Sequence, residues 1–152
     1  MAKKIKIEVD FSEDNVFIAI SCQKKDHWLV LQLNHTFKMD LRRISDVGFY
    51  HWKRKEVLPF PVWYYPDHDR ATDYYFISNS HPEGKLIPTL NTTDFFILIN
   101  GNITGQALQQ LIAGIRKIEG VLLVQVLDHH KVKDLDHLIS DLELHMIEFF
   151  KS

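Results

Sequence analysis

The sequence predicts an α+β fold: a mixed, largely antiparallel sheet with a βαβ unit near the C-terminus and helices packed on the sheet. Three observations lead there. Two segments rich in aromatic and β-branched residues, Phe60–Tyr65 and Asp73–Ser78, bracket the polar turn Pro66–Thr72, which is hairpin order. Two continuous apolar runs, Phe95–Asn100 and Val121–Leu127, bracket a stripe at helical spacing, which is βαβ order. The C-terminal stretch from Asp134 repeats apolar residues every three or four positions, as a helix lying on a sheet does.

Taken in order, Lys4–Phe11 alternates Ile5, Ile7 and Val9 with Lys4, Lys6 and Glu8, so a strand with one wet face is expected. From about Glu13 to Thr36 a helical region is expected. Ser12 stands as its N-cap, Glu13 and Asp14 are acidic first-turn residues, and Phe11 and Val16 sit at staple positions. The polar stretch Ser21–Asp26 would break it, with Asp26 capping a second piece. Val47–Trp52 leans to strand. Pro61 delays the start of the next strand or places it on an edge. His81–Gly84 has the Pro and Gly positions of a β-turn.

Phe95–Asn100 is continuous enough to be buried on both faces. Gly101 and Asn102 connect it to a helix capped by Thr104, with Ile103 and Leu108 as staple and Leu108, Leu111, Ile112 and Ile115 as stripe. Gly120 is expected as a left-handed end to this helix, and Val121–Leu127 as a second buried strand. A helix of about fifteen residues and a strand of about seven both span roughly 22 Å. The two strands should therefore run parallel, with the helix crossing right-handed over one face. The final helix begins with Asp134 or Asp136 as cap. Its stripe is Leu135, Leu138, Ile139, Leu142, Met146, Phe149 and Phe150, and Leu144 and Ile147 widen the apolar face beyond one contact.

Residues 1–152 are expected to form a single globular domain. A formal charge of −2, from 18 basic and 20 acidic residues, gives no long-range basic field for nucleic acid. The one cysteine, Cys22, excludes an intrachain disulfide and zinc-ribbon spacing. No continuous apolar leader opens the chain, and no apolar run approaches the roughly 20 residues that span a bilayer. A reducing cytoplasm is the expected location.

The stretch LIPTLNTTDFFILING, Leu86–Gly101, carries a resemblance. Ile87-Pro88 and Asp94 stand in the register of the motif that names the IPExxxVDY family, uncharacterised bacterial proteins of similar length. Thr89 stands where that family has Glu, Thr93 where it has Val, and Phe95 where it has Tyr. Ile20–Asn34 and Asp40–Asp46 resemble the family's N-terminal half, so the likeness covers most of the chain. It implies a bacterial source and no activity, cofactor or substrate. With Thr89 in place of Glu, a paired-carboxylate site loses one partner.

Chemistry-bearing patterns are few. Asp94 reads as an anchor for the turn ahead of the apolar run. The nine histidines include His129, His130, His137 and His145 near Asp128 and Asp134, but without HExxH or CxxC spacing, so no metal site is expected. Pro66–Asp73 has alternate carboxylates but lacks the Gly and closing Glu of a calcium loop. Asn100–Gly105 places a glycine-rich turn before a helix, a geometry open to an anion, without P-loop or dinucleotide spacing. No catalytic residue and no cofactor is assigned.

Three functions remain from the sequence. The first is a non-enzymatic interaction or dimerisation module, a homodimer or a partner of another protein, with Trp63, Tyr65, Tyr74, Leu144, Ile147 and Phe150 at the interface. The second is a small-ligand or anion-binding protein or enzyme with Asp94, Asn100, Gly101, Asn102 and Thr104 at its site. The third is an RNA-binding accessory protein using Arg42, Arg43, Lys53, Arg54 and Lys55 beside exposed aromatics. The first is favoured.

Overall fold

The computed structural model describes residues 15–128, 131–132 and 134–151. The expected strand Lys4–Phe11 and the Ser12 cap lie outside them. The elements run β1 (Asn15–Cys22), α1 (Asp26–Phe37), β2 (Arg42–Arg43), β3 (Val47–His51), β4 (Glu56–Phe60), β5 (Val62–Asp67), β6 (Thr72–Ser78), β7 (Phe95–Gly101), α2 (Gly105–Arg116), β8 (Val121–Leu127) and α3 (Asp134–Lys151). A six-stranded sheet has the order β2-β5-β6-β7-β1-β8, and β3 and β4 form a separate hairpin. The fold class is α+β.

Every neighbouring pair in the large sheet is antiparallel. β7 and β8 do run the same way, as their helical connection requires, but β1 lies between them and pairs with both. The βαβ unit is therefore split by the first described strand of the chain.

The segment Asn15–Cys22 is a strand, not the start of a helix. Val16, Ile18 and Ile20 turn to one side of the sheet, and Phe17 and Ala19 to the other. Both sides are covered, so the run is apolar at every position, and a short run of that kind carries no helical period. Helix α1 begins after it. Lys25 is the N-cap residue, and Asp26 sits in the first turn, where its carboxylate accepts from the His27 N–H. Pro61 divides the expected strand Phe60–Tyr65 into β4 and β5, and β5 begins at Val62. Helix α2 ends at Arg116. Gly120, at φ +94°, forms the turn into β8 rather than the helix cap.

Two cores flank the sheet. On one face Phe17, Tyr75, Phe96 and Leu98 meet Leu135, Leu138, Leu142 and Met146 of α3, with Phe49, Leu58 and Phe60 of the hairpin beside them. On the other face Ile18, Ile20, Phe76, Ile97 and Ile99 meet Leu29 and Leu33 of α1 and Leu111, Ile112 and Ile115 of α2. Burial on both faces explains why β1, β6 and β7 read as near-continuous apolar runs although the sheet is antiparallel. No described helix is long and apolar enough to cross a membrane.

Candidate functional site

The segment between β6 and β7 folds around one side chain. Asn79 is fully buried. Its amide Nδ2 donates to the carbonyls of Leu90 and Thr93, at 3.2 and 2.8 Å, and its Oδ1 accepts from the Ile87 N–H at 2.8 Å. Its backbone N–H donates to the Asp94 carbonyl, and its own carbonyl accepts from the Leu86 N–H, both at 2.9 Å. Ile87 is buried in the core beneath. The motif-like stretch is thus a structural turn, and its organiser lies outside the motif.

Asp94 extends the β7–β1 ladder beyond its last paired residue. Its Oδ2 accepts from the Cys22 N–H at 2.8 Å, and its own N–H donates to the Ile20 carbonyl at 2.9 Å. Lys85 Nζ stands 3.8 Å from the same carboxylate. The thiol of Cys22 is pushed up by burial, which keeps it protonated and unreactive.

β7 separates the expected ligand residues. Asp94 precedes its first residue, and Asn100 and Gly101 are its last. A strand of this length spans about 20 Å, so Asp94 does not meet Asn100, Asn102 or Thr104. Asn100 is engaged in the sheet, where its Nδ2 donates to Asn15 Oδ1 at 3.1 Å. Gly101, at φ +137°, packs against the backbone of Ala71 and Thr72. Of that set, Asn102 and Thr104 line a cavity.

The cavity, of about 560 Å³, opens at this end of the sheet between the last residues of α1 and the first turns of α2. Its floor is Tyr65 on β5 and Tyr74 on β6, cross-strand partners whose rings stack at 5.7 Å and 22°. Phe37, Met39, Ile103 and Leu111 supply apolar walls, and Lys38, Asp67, Arg70 and Gln110 supply polar ones. Thr104 caps α2 as expected, accepting from the Ala107 N–H at 3.0 Å. Arg70 Nη1 stands 3.4 Å from Asp67 Oδ2. Burial first, and the Asp67 carboxylate second, push both tyrosine hydroxyls up, so each remains a protonated donor. The sequence reading missed Lys38, Asp67, Arg70 and Gln110, which come from elements far apart in the chain and share no spacing.

The expected interface is corrected in part. Trp63 and Tyr74 are each only 8% exposed, Trp63 in the chain's own core and Tyr74 at the cavity floor, which removes both from a protein–protein interface. Helices cover the second face of the sheet, so alternation along β5 and β6 leaves none of their aromatics fully exposed. Tyr65 is half-buried in the cavity floor. Leu144 and Phe150 are exposed on α3, and Ile147 is half-buried beside them. The basic residues divide between the β2 edge and the β3–β4 turn. Arg42, Arg43 and Arg54 are paired there with Asp40, Asp46 and Glu83. That arrangement withdraws support from a single nucleic-acid face.

The largest departure from expectation is β8. It is not a buried strand. Among the described residues it forms the edge of the sheet, pairs only with β1, and buries only Val124 fully. Leu122, Leu123 and Val126 are 65%, 50% and 47% exposed. All seven residues of β8 are uncharged. The opposite edge is built differently: β2 has two residues, both arginine. A short, charged edge resists pairing with another strand, whereas a long apolar one invites it. Arg116 of α2 reaches the middle of β8, donating to the Val124 carbonyl at 3.1 Å.

Among the described residues no three metal-ligating side chains converge. His129 and His130 lie outside those residues. His145 sits on α3 with Nε2 3.2 Å from Ser45 Oγ, and burial lowers its affinity for a proton below the ordinary value of 6.5. The unfolded chain therefore binds that proton more readily, and stability should be complete above pH 6.5 and decline as the pH falls through it. His145→Gln is expected to flatten this part of the stability profile, measured by urea unfolding between about pH 5 and 7.5. An unchanged slope would show that other groups carry it.

The chain matches no family model, no curated protein and no solved structure.

Proposed function

We propose that this chain is a non-enzymatic interaction module that assembles through the outer edge of β8, unpaired among the described residues, and that its partner is a second copy of itself. The observation that carries the reading is the uncharged, solvent-exposed strand at one edge of a sheet whose other edge is short and charged. An antiparallel edge is complementary to its own copy under a two-fold axis, because each strand presents the same donors and acceptors in reverse order. With the axis at Val124, the whole strand overlaps. Val124 faces its own copy, Leu122 faces Val126, Leu123 faces Gln125 and Val121 faces Leu127. Each pair is at least half apolar, and no like charges meet. The Val124 carbonyl has a second lone pair for a new ladder bond beside the Arg116 contact.

The exposed apolar residues of α3, Leu144 and Phe150, belong to the same reading as secondary surface. The test is the solution mass of the full chain at about 100 µM, well above a micromolar Kd. The expected mass is twice 17.9 kDa. Leu122→Lys with Val126→Lys sets two like charges opposite each other in both copies of the Leu122–Val126 pair and should return the monomer with an unchanged circular dichroism spectrum. A wild-type monomer at that concentration, or a dimer that survives both lysines, would overturn the reading.

A further inference from the structure

The cavity at the end of the sheet is independent of the β8 edge, and its lining has a definite chemistry. A space of about 560 Å³ lies within the range of small-molecule sites. Two tyrosine rings, Tyr65 and Tyr74, stand at its floor with centroids 5.7 Å apart and planes 22° from parallel. Aromatic side chains at a cavity floor favour a planar ring by edge-to-face or offset contact. The side walls formed by Phe37, Met39, Ile103 and Leu111 are apolar, so the body of such a ligand would be desolvated on entering.

The charged groups select the other end of the ligand. Lys38 follows α1 in the left-handed conformation, φ 56°, and its N–H donates to the Asn34 carbonyl, which fixes the backbone at the cavity wall. Among the described residues no carboxylate pairs with its ammonium. The one carboxylate lining the cavity, Asp67, is matched by Arg70. That contact is long, and the Arg70 side chain is 77% exposed, so its guanidinium can serve a second acceptor. The remaining balance is cationic. The hydroxyls of Tyr65 and Tyr74 and the amides of Asn102 and Gln110 add neutral donors, and the first turn of α2 holds no acidic residue to oppose an anion.

We propose that this cavity binds a small planar molecule carrying an oxyanion, with the ring on Tyr65 and Tyr74 and the anionic group toward Lys38 and Arg70. The probes are phenyl phosphate and benzoate, which share a ring and differ in the oxyanion. Benzyl alcohol supplies the ring without charge, and inorganic phosphate the charge without a ring. Titration is followed by amide chemical shifts of the full chain. At least one charged probe should move the resonances of Lys38, Arg70, Asn102 and Ala107, with a Kd of about 1 mM or tighter. Benzyl alcohol and inorganic phosphate should each bind at least tenfold more weakly.

Two variants locate the effect. Ala107→Trp, on the exposed start of α2, fills the cavity and should abolish binding. Lys38→Asn keeps a residue suited to the left-handed conformation, removes the charge, and should weaken the charged probe about tenfold while leaving benzyl alcohol unchanged. Absence of shifts with both charged probes, equal binding of benzyl alcohol, shifts confined to β8, or full affinity in Lys38→Asn would each overturn the proposal.

Discussion

Asn79→Ala is expected to lower the unfolding free energy by about 3–5 kcal/mol, from the loss of three hydrogen bonds in a site without access to water. The side chain donates twice and accepts once, and all three partners are backbone groups of the segment between β6 and β7. Alanine leaves the Ile87 N–H and the Thr93 carbonyl facing apolar surroundings, at about 1–3 kcal/mol for each unsatisfied group. For a domain of this size the midpoint of thermal unfolding should fall by roughly 2–4 °C per kcal/mol. Asn79→Asp keeps the shape and the acceptor but loses both donors, and places a carboxylate against two carbonyls. It should be no better than alanine. A loss below about 1 kcal/mol for alanine would mean that water or a shifted backbone replaces those bonds.

Gly101→Ala should be of similar size for an unrelated reason. Gly101 holds φ +137°, which L residues rarely adopt, and a Cβ there would stand 2.5 Å from the Ala71 carbonyl oxygen and 2.8 Å from Thr72 Cα. Both obstacles are backbone, so neither can rotate away. Backbone strain of about 1–3 kcal/mol adds to the displacement of the β5–β6 turn. The expected loss is about 3 kcal/mol or more by denaturant unfolding. Gly105→Ala is the control, since a Cβ there meets nothing within 4 Å. Gly105 is the first residue of α2, and alanine is the better helix former, so that variant should hold or gain stability, by less than the roughly 1 kcal/mol seen in helix interiors.

The hairpin of β5 and β6, strand β7, the Thr104 cap and the stripe of α3 were legible because each has a local cause: turn chemistry, a side-chain cap or a regular period. What could not be read was environment. VFIAI in β1 and LLVQV in β8 are both short apolar runs, yet one is the second strand in from the edge and the other is the edge itself. The difference lies in how many neighbours each strand finds, which no window of residues records. Trp63 and Tyr74 were assigned to a surface for the same reason. Their burial depends on α1 and α2 covering a face that an isolated hairpin would leave wet. The ligand residues were half legible. Asn102 and Thr104 were found through the turn chemistry of the βα connection. Lys38, Asp67 and Arg70 come to the same cavity only through sheet order.

The position of β1 between β7 and β8 has a consequence for how the chain acquires its structure. Ile20 cannot pair until Phe95 has been made, nor Cys22 with its other neighbour until Val121 has followed. On a ribosome, β1 emerges early and waits, with apolar side chains on both sides and both ladder edges open. Local hairpins such as β3–β4 and β5–β6 can close meanwhile, but the central pairing of β1 with β7 and β8 cannot. Pairings this distant in sequence slow folding, because a long loop must be closed before any contact is gained. The interval before residues 95–127 appear is therefore when the nascent chain is most exposed to capture by a chaperone or to aggregation.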